Sequence, residues 1–310
     1  METSQLYKVA MYREEDIRQS DGWGKYLENL GWKIRKTSNG ISISIRPTFL
    51  GNFTKIQHPK KVTAEDLKEI ESICKEEKCT YIKIEPDFNQ DLSVFEDAGY
   101  IESYSPNCVP STIFIDLTKS DDVLWNDLSH SAKYSVNRAI REGYVFEAVR
   151  NPSKEQIEES YRLFKITSRE KGFYMTPLSE FFIRNEVFGD KSYLCLVRNE
   201  DGVLQQSKFC LGYKDMVLYV AGGSTTEARK NKSGYQLMWE AIKFFKKEGY
   251  RVFDLEGKDD KRFPLYTKSW GGFSHFKEKF NGVEVEFPIP RIKYLNKFYG
   301  LISKTMNVSF

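Results

Sequence analysis

Segments with a two-residue apolar period and segments with a 3.6-residue period alternate along this chain, and the alternation runs twice. A half-buried strand turns successive side chains to opposite faces, whereas a helix repeats its buried face every three to four residues. Ile41-Ser42-Ile43-Ser44-Ile45 alternates cleanly and reads as a half-buried strand. Residues 64–77 read as an amphipathic helix, followed by the strand Tyr81-Ile82-Lys83-Ile84-Glu85, which Pro86 ends with Glu85 at its C-terminal tip. Residues 112–117 predict another strand. A single helix is expected over about 122–142, with Trp125, Leu128, Ala132, Val136 and Ala139 on one face and Lys133, Asn137 and Arg141 on another.

The second half repeats the theme. A helix is expected over 153–171, then strands at 193–198, 205–213 and 216–221. A helix follows at 234–248, with Tyr235, Met238, Ile242 and Phe245 on one face and Gly249 at its end. A strand at 252–255 leads into a polar loop over 258–272. Strands alternating with helices predict a layered α/β class, twice over. The length of 310 residues suits two domains, because single cores rarely grow past ~250–300 residues.

Charge is unevenly spread. Residues 229–310 hold 17 Lys/Arg against 9 Asp/Glu, while the remaining residues hold 30 against 35. A basic final quarter suits a polyanionic partner: nucleic acid, a diphosphate or an anionic membrane surface. No apolar run approaches the ~20 residues that cross a bilayer, and the first residues show no apolar signal region, so a cytoplasmic protein is expected. Five cysteines (74, 79, 108, 195 and 210) form no CxxC pair and only three histidines occur. Buried reduced thiols are therefore expected, without a metal cage or an organic cofactor.

Near the end of the chain, Gly272-Phe-Ser-His-Phe-Lys-Glu-Lys-Phe-Asn-Gly282 reads as a strand bracketed by glycines. On a strand, Lys277 and Lys279 share one face and Phe276 and Glu278 the other. Two lysines side by side fit either a guarded edge strand or an anion or oxyanion site.

The order of several motifs resembles the Fem-type (FemABX) aminoacyltransferases. The matching pieces begin with Gln19-Ser20-x-x-Trp23-Gly24-Lys25, Leu30-Gly31-Trp32 and Lys83-Ile84-Glu85-Pro86. They continue with Ile115-Asp116-Leu117, Trp125, Lys133-Tyr134-x-x-x-Arg138-Ala139 and Tyr235 with Trp239-Glu240-Ala241-Ile242. Tyr250–Gly257 and Phe276-Lys277-x-x-Phe280-x-Gly282 complete the set, which spans about residues 19–285. The resemblance implies two tandem acetyltransferase-like (GNAT-like) domains, expected over 1–147 and 148–287, with a helix over 288–310 packing back on the first.

It also implies a reaction, in which an amino acid passes from the 3′ ester of an aminoacyl-tRNA to an amine on the stem peptide of a peptidoglycan precursor. Negative charge develops on the carbonyl oxygen of the ester, and a cation aimed at that charge is an economical catalyst. Lys277 matches the family's functional lysine, placed either at the oxyanion or at the phosphate of the terminal adenosine, with Phe276 beside it. Glu85 stands where the family usually has Asp before Pro, a position suited to accepting the ammonium proton. Lys25, Tyr235, Lys133 and Arg138 are implied substrate contacts, and Lys279 is a guard or a phosphate contact. Thr176 replaces an arginine carried by members that act on the soluble UDP-linked muropeptide, which favours a lipid-linked acceptor. The basic, aromatic segment 291–310 either touches the inner membrane surface or packs as a terminal helix, and a monomer is expected.

Two other classes compete. A CoA-dependent N-acyltransferase would cradle pyrophosphate on backbone N–H groups of a Gly-rich loop entering a helix. The corresponding place reads Arg229-Lys-Asn-Lys-Ser-Gly-Tyr235, with Lys232 and Tyr235 where small residues belong. A non-catalytic RNA or membrane-surface adaptor would use the basic final quarter alone.

Overall fold

The computed structural model describes residues 13–49 and 51–296. Two compact units divide them: a larger one built from 13–14, 112–259 and 268–285, and a smaller one built from 15–111, 260–267 and 286–296. The boundary expected at 147/148 falls inside a strand of the larger unit, Val145–Arg150. Residues 112–147 supply that unit with two of its strands and two of its helices.

The smaller unit is a six-stranded mixed sheet. Its strands are β1 (Lys33–Lys36), β2 (Ser42–Arg46), β3 (Asn52–Gln57), β4 (Cys79–Glu85), β5 (Ile101–Glu102) and, from late in the chain, β13 (Arg291–Tyr294). They stand in the order β1-β2-β3-β4-β13-β5. Only β3 and β4 run parallel, joined by helix α2 (Ala64–Glu76), which follows α1 (Asp21–Asn29) in the chain. Thr63 and Asp66 form a reciprocal capping box at the start of α2, and Leu67, Ile70 and Ile73 face the core with Ile43, Ile45, Ile56 and Ile82. The short helix α3 (Ser93–Asp97) adds Phe95 to the same core.

Two expectations need correction here. The strand at 41–45 is buried on both faces rather than one: Ser42 and Ser44 are as enclosed as the isoleucines. Its polar face is accommodated because Gln19 accepts a hydrogen bond from the Ser42 amide, at 2.9 Å. The segment from 288 does not begin as a helix, since β13 pairs antiparallel with β4 and β5 in the sheet of the smaller unit. Residues 297–310, where the rest of that helix was expected, lie outside the described residues.

The larger unit is a seven-stranded mixed sheet. Its strands are β6 (Ser111–Asp116), β7 (Val145–Arg150), β8 (Ser192–Arg198), β9 (Leu204–Tyr213), β10 (Met216–Ser224), β11 (Val252–Asp254) and β12 (Val283–Glu286). Their order is β12-β6-β11-β10-β9-β8-β7, with β10 and β11 parallel. Its helices are α4 (Asp121–Asp127), α5 (His130–Arg141), α6 (Lys154–Lys171), α7 (Leu178–Phe188), α8 (Thr226–Asn231), α9 (Gly234–Lys247) and α10 (Gly271–Glu278). The apolar stripe expected of one helix over 122–142 is divided between α4 and α5. Leu128 is extended (φ −60°, ψ 139°), and the Ser129 side chain accepts from the Ala132 amide to cap α5. Leu128, Ala132, Val136 and Ala139 still share one core with Leu237, Ile242, Phe245 and Phe253.

Helix α6 crosses β10 at Gly223. A Cβ there would stand 2.5 Å from the Leu163 carbonyl carbon and 2.6 Å from the Phe164 nitrogen. These are backbone atoms, which cannot swing aside as a side chain would. Gly223→Ala is expected to lower the unfolding free energy by about 1–3 kcal/mol. Urea unfolding checks this, and a midpoint equal to that of the unaltered chain would refute the close approach.

Candidate active site

Strands β10 and β11 run together only briefly. They pair from Met216–Val252 to Leu218–Asp254, where β11 ends. Beyond that point β10 stays paired with β9 alone, through a bulge between Tyr219 and Ala221, as far as Ser224. The sheet therefore opens along 219–224. A bulge of this kind re-aims side chains and leaves one residue out of the ladder.

The chain leaving β11 makes a turn fixed by a buried carboxylate. Asp254 accepts from the Thr112 hydroxyl and, at 2.8 Å, from the Glu256 amide. Glu256 and Gly257 both take positive φ (53° and 70°). Left-handed backbone is costly for a residue with a Cβ, so Glu256 adopts it only because the surroundings require it. The result is two successive carbonyls aimed at one amine: Lys277 Nζ donates to Glu256 O and, at 2.7 Å, to Gly257 O.

Lys277 lies on α10, and its side chain is only 5 % exposed. Its amine stands 4.6 Å from the centre of the Phe273 ring and 5.4 Å from that of Tyr219. Burial pulls its pKa down to about 7. The charge of Lys208 pulls the same way, while Glu256 and Asp254 oppose both. An ammonium has three N–H donors. Two of them are engaged by carbonyls, leaving one for a substrate atom in a place that burial keeps dry.

Further aromatic rings meet along α10. Tyr235 at the start of α9 lies 4.8 Å from Phe276 and stacks on Phe280 at 5.8 Å, and Phe276 and Phe280 meet edge to face. Burial raises the pKa of the Tyr235 hydroxyl. Lys208 on β9 brings a second buried amine, 4.0 Å from the Tyr219 ring centre and 5.5 Å from that of Phe276.

The segment expected as a strand is thus a helix. Phe273, Phe276 and Phe280 recur at the three- and four-residue steps of a helical face, and that period prevails over the alternation of the two lysines. On a helix, residues two apart point roughly 200° away from each other. Lys277 accordingly faces inward, while Lys279, at the C-terminal cap, is half-exposed and shares no face with it.

The remaining expected residues fall elsewhere. Lys133 donates to the Asn126 carbonyl at 3.0 Å, and Arg138 pairs with Glu142 at 2.6 Å, both on α5. In the smaller unit, Lys25 is exposed on α1. Glu85, buried at the tip of β4, accepts from the Asn107 and Cys108 amides at 2.6 and 2.9 Å. Lys83, two residues earlier, donates to Ser105 O, and burial lowers its pKa to about 8 against the pull of Glu85. The sequence reading missed Lys208, Tyr219 and Asp254. A signal existed for the first: Gln205-Gln206-Ser207-Lys208 is a polar run inside a strand that is buried nearly throughout.

The loop where a CoA pyrophosphate would bind is committed internally. Lys232 is left-handed (φ 57°), the Ser233 amide bonds Ala228 O at 3.2 Å, and the Tyr235 amide bonds Lys232 O at 3.1 Å. A Cβ on Gly234 would meet the Gln206 side chain at 2.9 Å. Amides spent this way do not form an anion cradle.

No protein-family model matches the sequence, and no curated protein matches it either. Solved structures do. FemX superposes with a TM-score of 0.78 at 17% identity, over 97% of this chain and 98% of that one. The chain has the FemX fold. L-PGS from Bacillus licheniformis follows at TM-score 0.62 and 13% identity, covering 98% and 96% of the two chains. A tandem GNAT protein from the clavulanic acid biosynthesis pathway gives 0.54 at 9% identity, covering 82% and 78%. The two sheets with their flanking helices are therefore two tandem GNAT-like units, as the Fem-type resemblance implies. Among the described residues of this FemX-like chain, no three His, Cys, Asp or Glu side chains stand together to hold a metal. No described helix is long and apolar enough to cross a membrane, and the five cysteines are buried thiols.

The lowered pKa of Lys277 has a consequence for stability. Between about 7 and the ordinary lysine value of 10.5, the unfolded chain holds a proton that the folded chain does not. Stability rises with pH wherever the unfolded state binds more protons. Relative to a Lys277→Met variant, the unaltered chain should therefore gain stability as pH rises from 7 to 10, and the difference should flatten below 7. Urea unfolding of both proteins across this range checks it, and a pH-independent difference would contradict the buried amine.

Proposed function

We propose that this chain is an aminoacyltransferase that moves an amino acid from aminoacyl-tRNA to a stem-peptide amine of a peptidoglycan precursor. One observation carries the reading: a buried amine, gripped by two carbonyls at the opening of the sheet, retains one donor in a dry aromatic surround. Attack of the acceptor amine on the ester carbonyl forms a tetrahedral centre. As it forms, the carbonyl oxygen of the ester becomes an oxyanion, which the free N–H of Lys277 stabilises. Collapse breaks the bond to the 3′ oxygen of the tRNA, which leaves as the hydroxyl after taking up the extra proton of the nitrogen. The resemblance to the Fem-type enzymes and the FemX fold support this reading. The committed amides around Ser233 favour it over a CoA-dependent acyl transfer. Thr176 in place of the arginine favours a lipid-linked acceptor, and aminoacyl-tRNA is the sole co-substrate, without a metal or organic cofactor.

The deciding experiment offers radiolabelled aminoacyl-tRNAs with lipid-linked and soluble precursors, and acetyl-CoA in parallel. Incorporation from tRNA is expected, and incorporation from CoA alone would overturn the reading. Lys277→Ala should reduce kcat by about 10²–10³-fold, the usual loss for one oxyanion donor.

The pH profile distinguishes a charged donor from a neutral one. The acceptor amine reacts as the free base, so kcat/KM rises tenfold per pH unit below its pKa, ~10 for an alkyl amine. If Lys277 acts as the ammonium, its own deprotonation cancels that rise above about pH 7. The profile should therefore level off near pH 7 in the unaltered enzyme and keep climbing in an active Lys277→Arg variant. Parallel profiles would exclude the ammonium role.

A further inference from the structure

Lys208 is a buried amine that the proposed reaction does not use. It sits in the middle of β9, 7 % exposed, and no carboxylate bonds it or Lys277 among the described residues. An unpaired buried lysine is disfavoured, and an apolar residue of similar length would pack there at lower cost. Its surroundings form a built arrangement. Lys208 pairs across the ladder with Gly222 of β10. Gly222 has no side chain, and its open place is filled by the Tyr219 hydroxyl, which would lie 2.1 Å from a Cβ there. The absence of a side chain at 222 thus lets the Tyr219 ring fold back toward Lys208. The same ring meets Lys277 from α10, so two lysine amines on different elements share one aromatic ring. Phe276, beside Lys277 on α10, is the second ring over which Lys208 lies.

We propose that Lys208 is a positioning residue for Lys277, acting through the shared Tyr219 ring to hold the Lys277 amine in place and to sharpen it as a proton donor toward the reacting oxygen. Like charges in a low-dielectric site disfavour each other's protonated form, and the direction of the Lys208 effect on Lys277 agrees. The other groups facing Lys277 are Asp254 and Glu256 from β11 and its turn, which act oppositely, and the half-buried Tyr219. Lys258 in the following loop is tied to Glu284 and Glu278, and His275 lies exposed on α10 with Glu278. A donor near its point of proton loss shares its proton more fully with a developing oxyanion than an ordinary lysine does.

The significance for catalysis rests on the proposed transfer, but the test does not require turnover. Protein carrying lysine labelled with ¹³C at Cε and ¹⁵N at Nζ is titrated by NMR from pH 5.5 to 10. The Lys277 signal is assigned by its loss in Lys277→Arg. In the unaltered chain its midpoint should lie near 7. In Lys208→Met and in Lys208→Gln it should move up by about one unit, the scale of a nearby like charge, while Lys208→Arg should leave it in place. A purely space-filling Lys208 would leave all four midpoints alike, and that result would overturn the proposal. Should Lys208→Met fold poorly by circular dichroism, Lys208→Gln and Lys208→Arg decide the matter between them. If aminoacyl transfer is observed, the levelling-off point of kcat/KM should shift upward with the midpoint. If transfer is absent while the midpoint moves, the reaction assignment fails and the role of Lys208 stands.

Discussion

An amine kept out of water governs the larger unit around its sheet opening. Withdrawing an ammonium from solvent is expensive unless other dipoles replace the water. Here the replacement comes from backbone rather than from a carboxylate. The carbonyls of Glu256 and Gly257 can both point at Lys277 only because the chain turns through two left-handed residues. That turn is held in turn by Asp254, Thr112 and the end of β11. Each link is local and polar, yet together they decide where α10 docks. Pairing the amine with a carboxylate would have been simpler, but it would have neutralised the charge that the proposed reaction uses.

The two GNAT-like units answer a similar problem differently. Lys83 is also buried and also donates to a backbone carbonyl, that of Ser105, but it stands two residues from the carboxylate of Glu85. Glu85 in turn holds the Asn107 and Cys108 amides. One unit places a cation beside an anion, and the other places a cation beside a cation. The balanced pair in the smaller unit braces a loop. In the larger unit Asp254 and Glu256 act on Lys277 against the like charge of Lys208, without a direct ion pair.

Much of the fold was legible because periodicity reports burial directly. The expected helices near 64–77, 153–171 and 234–248 and the strands from 193 to 221 occur within a few residues of their predicted ends. Failures arose where two signals competed. Over 122–142 an uninterrupted apolar stripe hid the capping serine that divides α4 from α5. Over 272–282 the lysine alternation and the bracketing glycines suggested a strand, while the aromatic spacing recorded a helix. Helix α7 went unread because its apolar residues follow no sharp single face. Of the residues the resemblance implies, Tyr235 and Phe276 meet each other, and Lys277 follows Phe276 on α10. Lys208 and Tyr219 were not identified, because their meeting depends on strand register and on the missing side chain at 222, and neither is a property of nearby sequence.

Strand β13 has a consequence for how this protein is made. It occupies an interior place in the sheet of the smaller unit, between β4 and β5, although it lies about 200 residues beyond them in the chain. A ribosome delivers residues 15–111 long before it delivers 291–294. Until then the nascent sheet has a gap, and the backbone of β4 lacks a partner along one side. The larger unit, nearly continuous in sequence, can close first. Unpaired strand edges invite association with other chains, so the smaller unit is the part of the nascent protein most in need of shelter during synthesis.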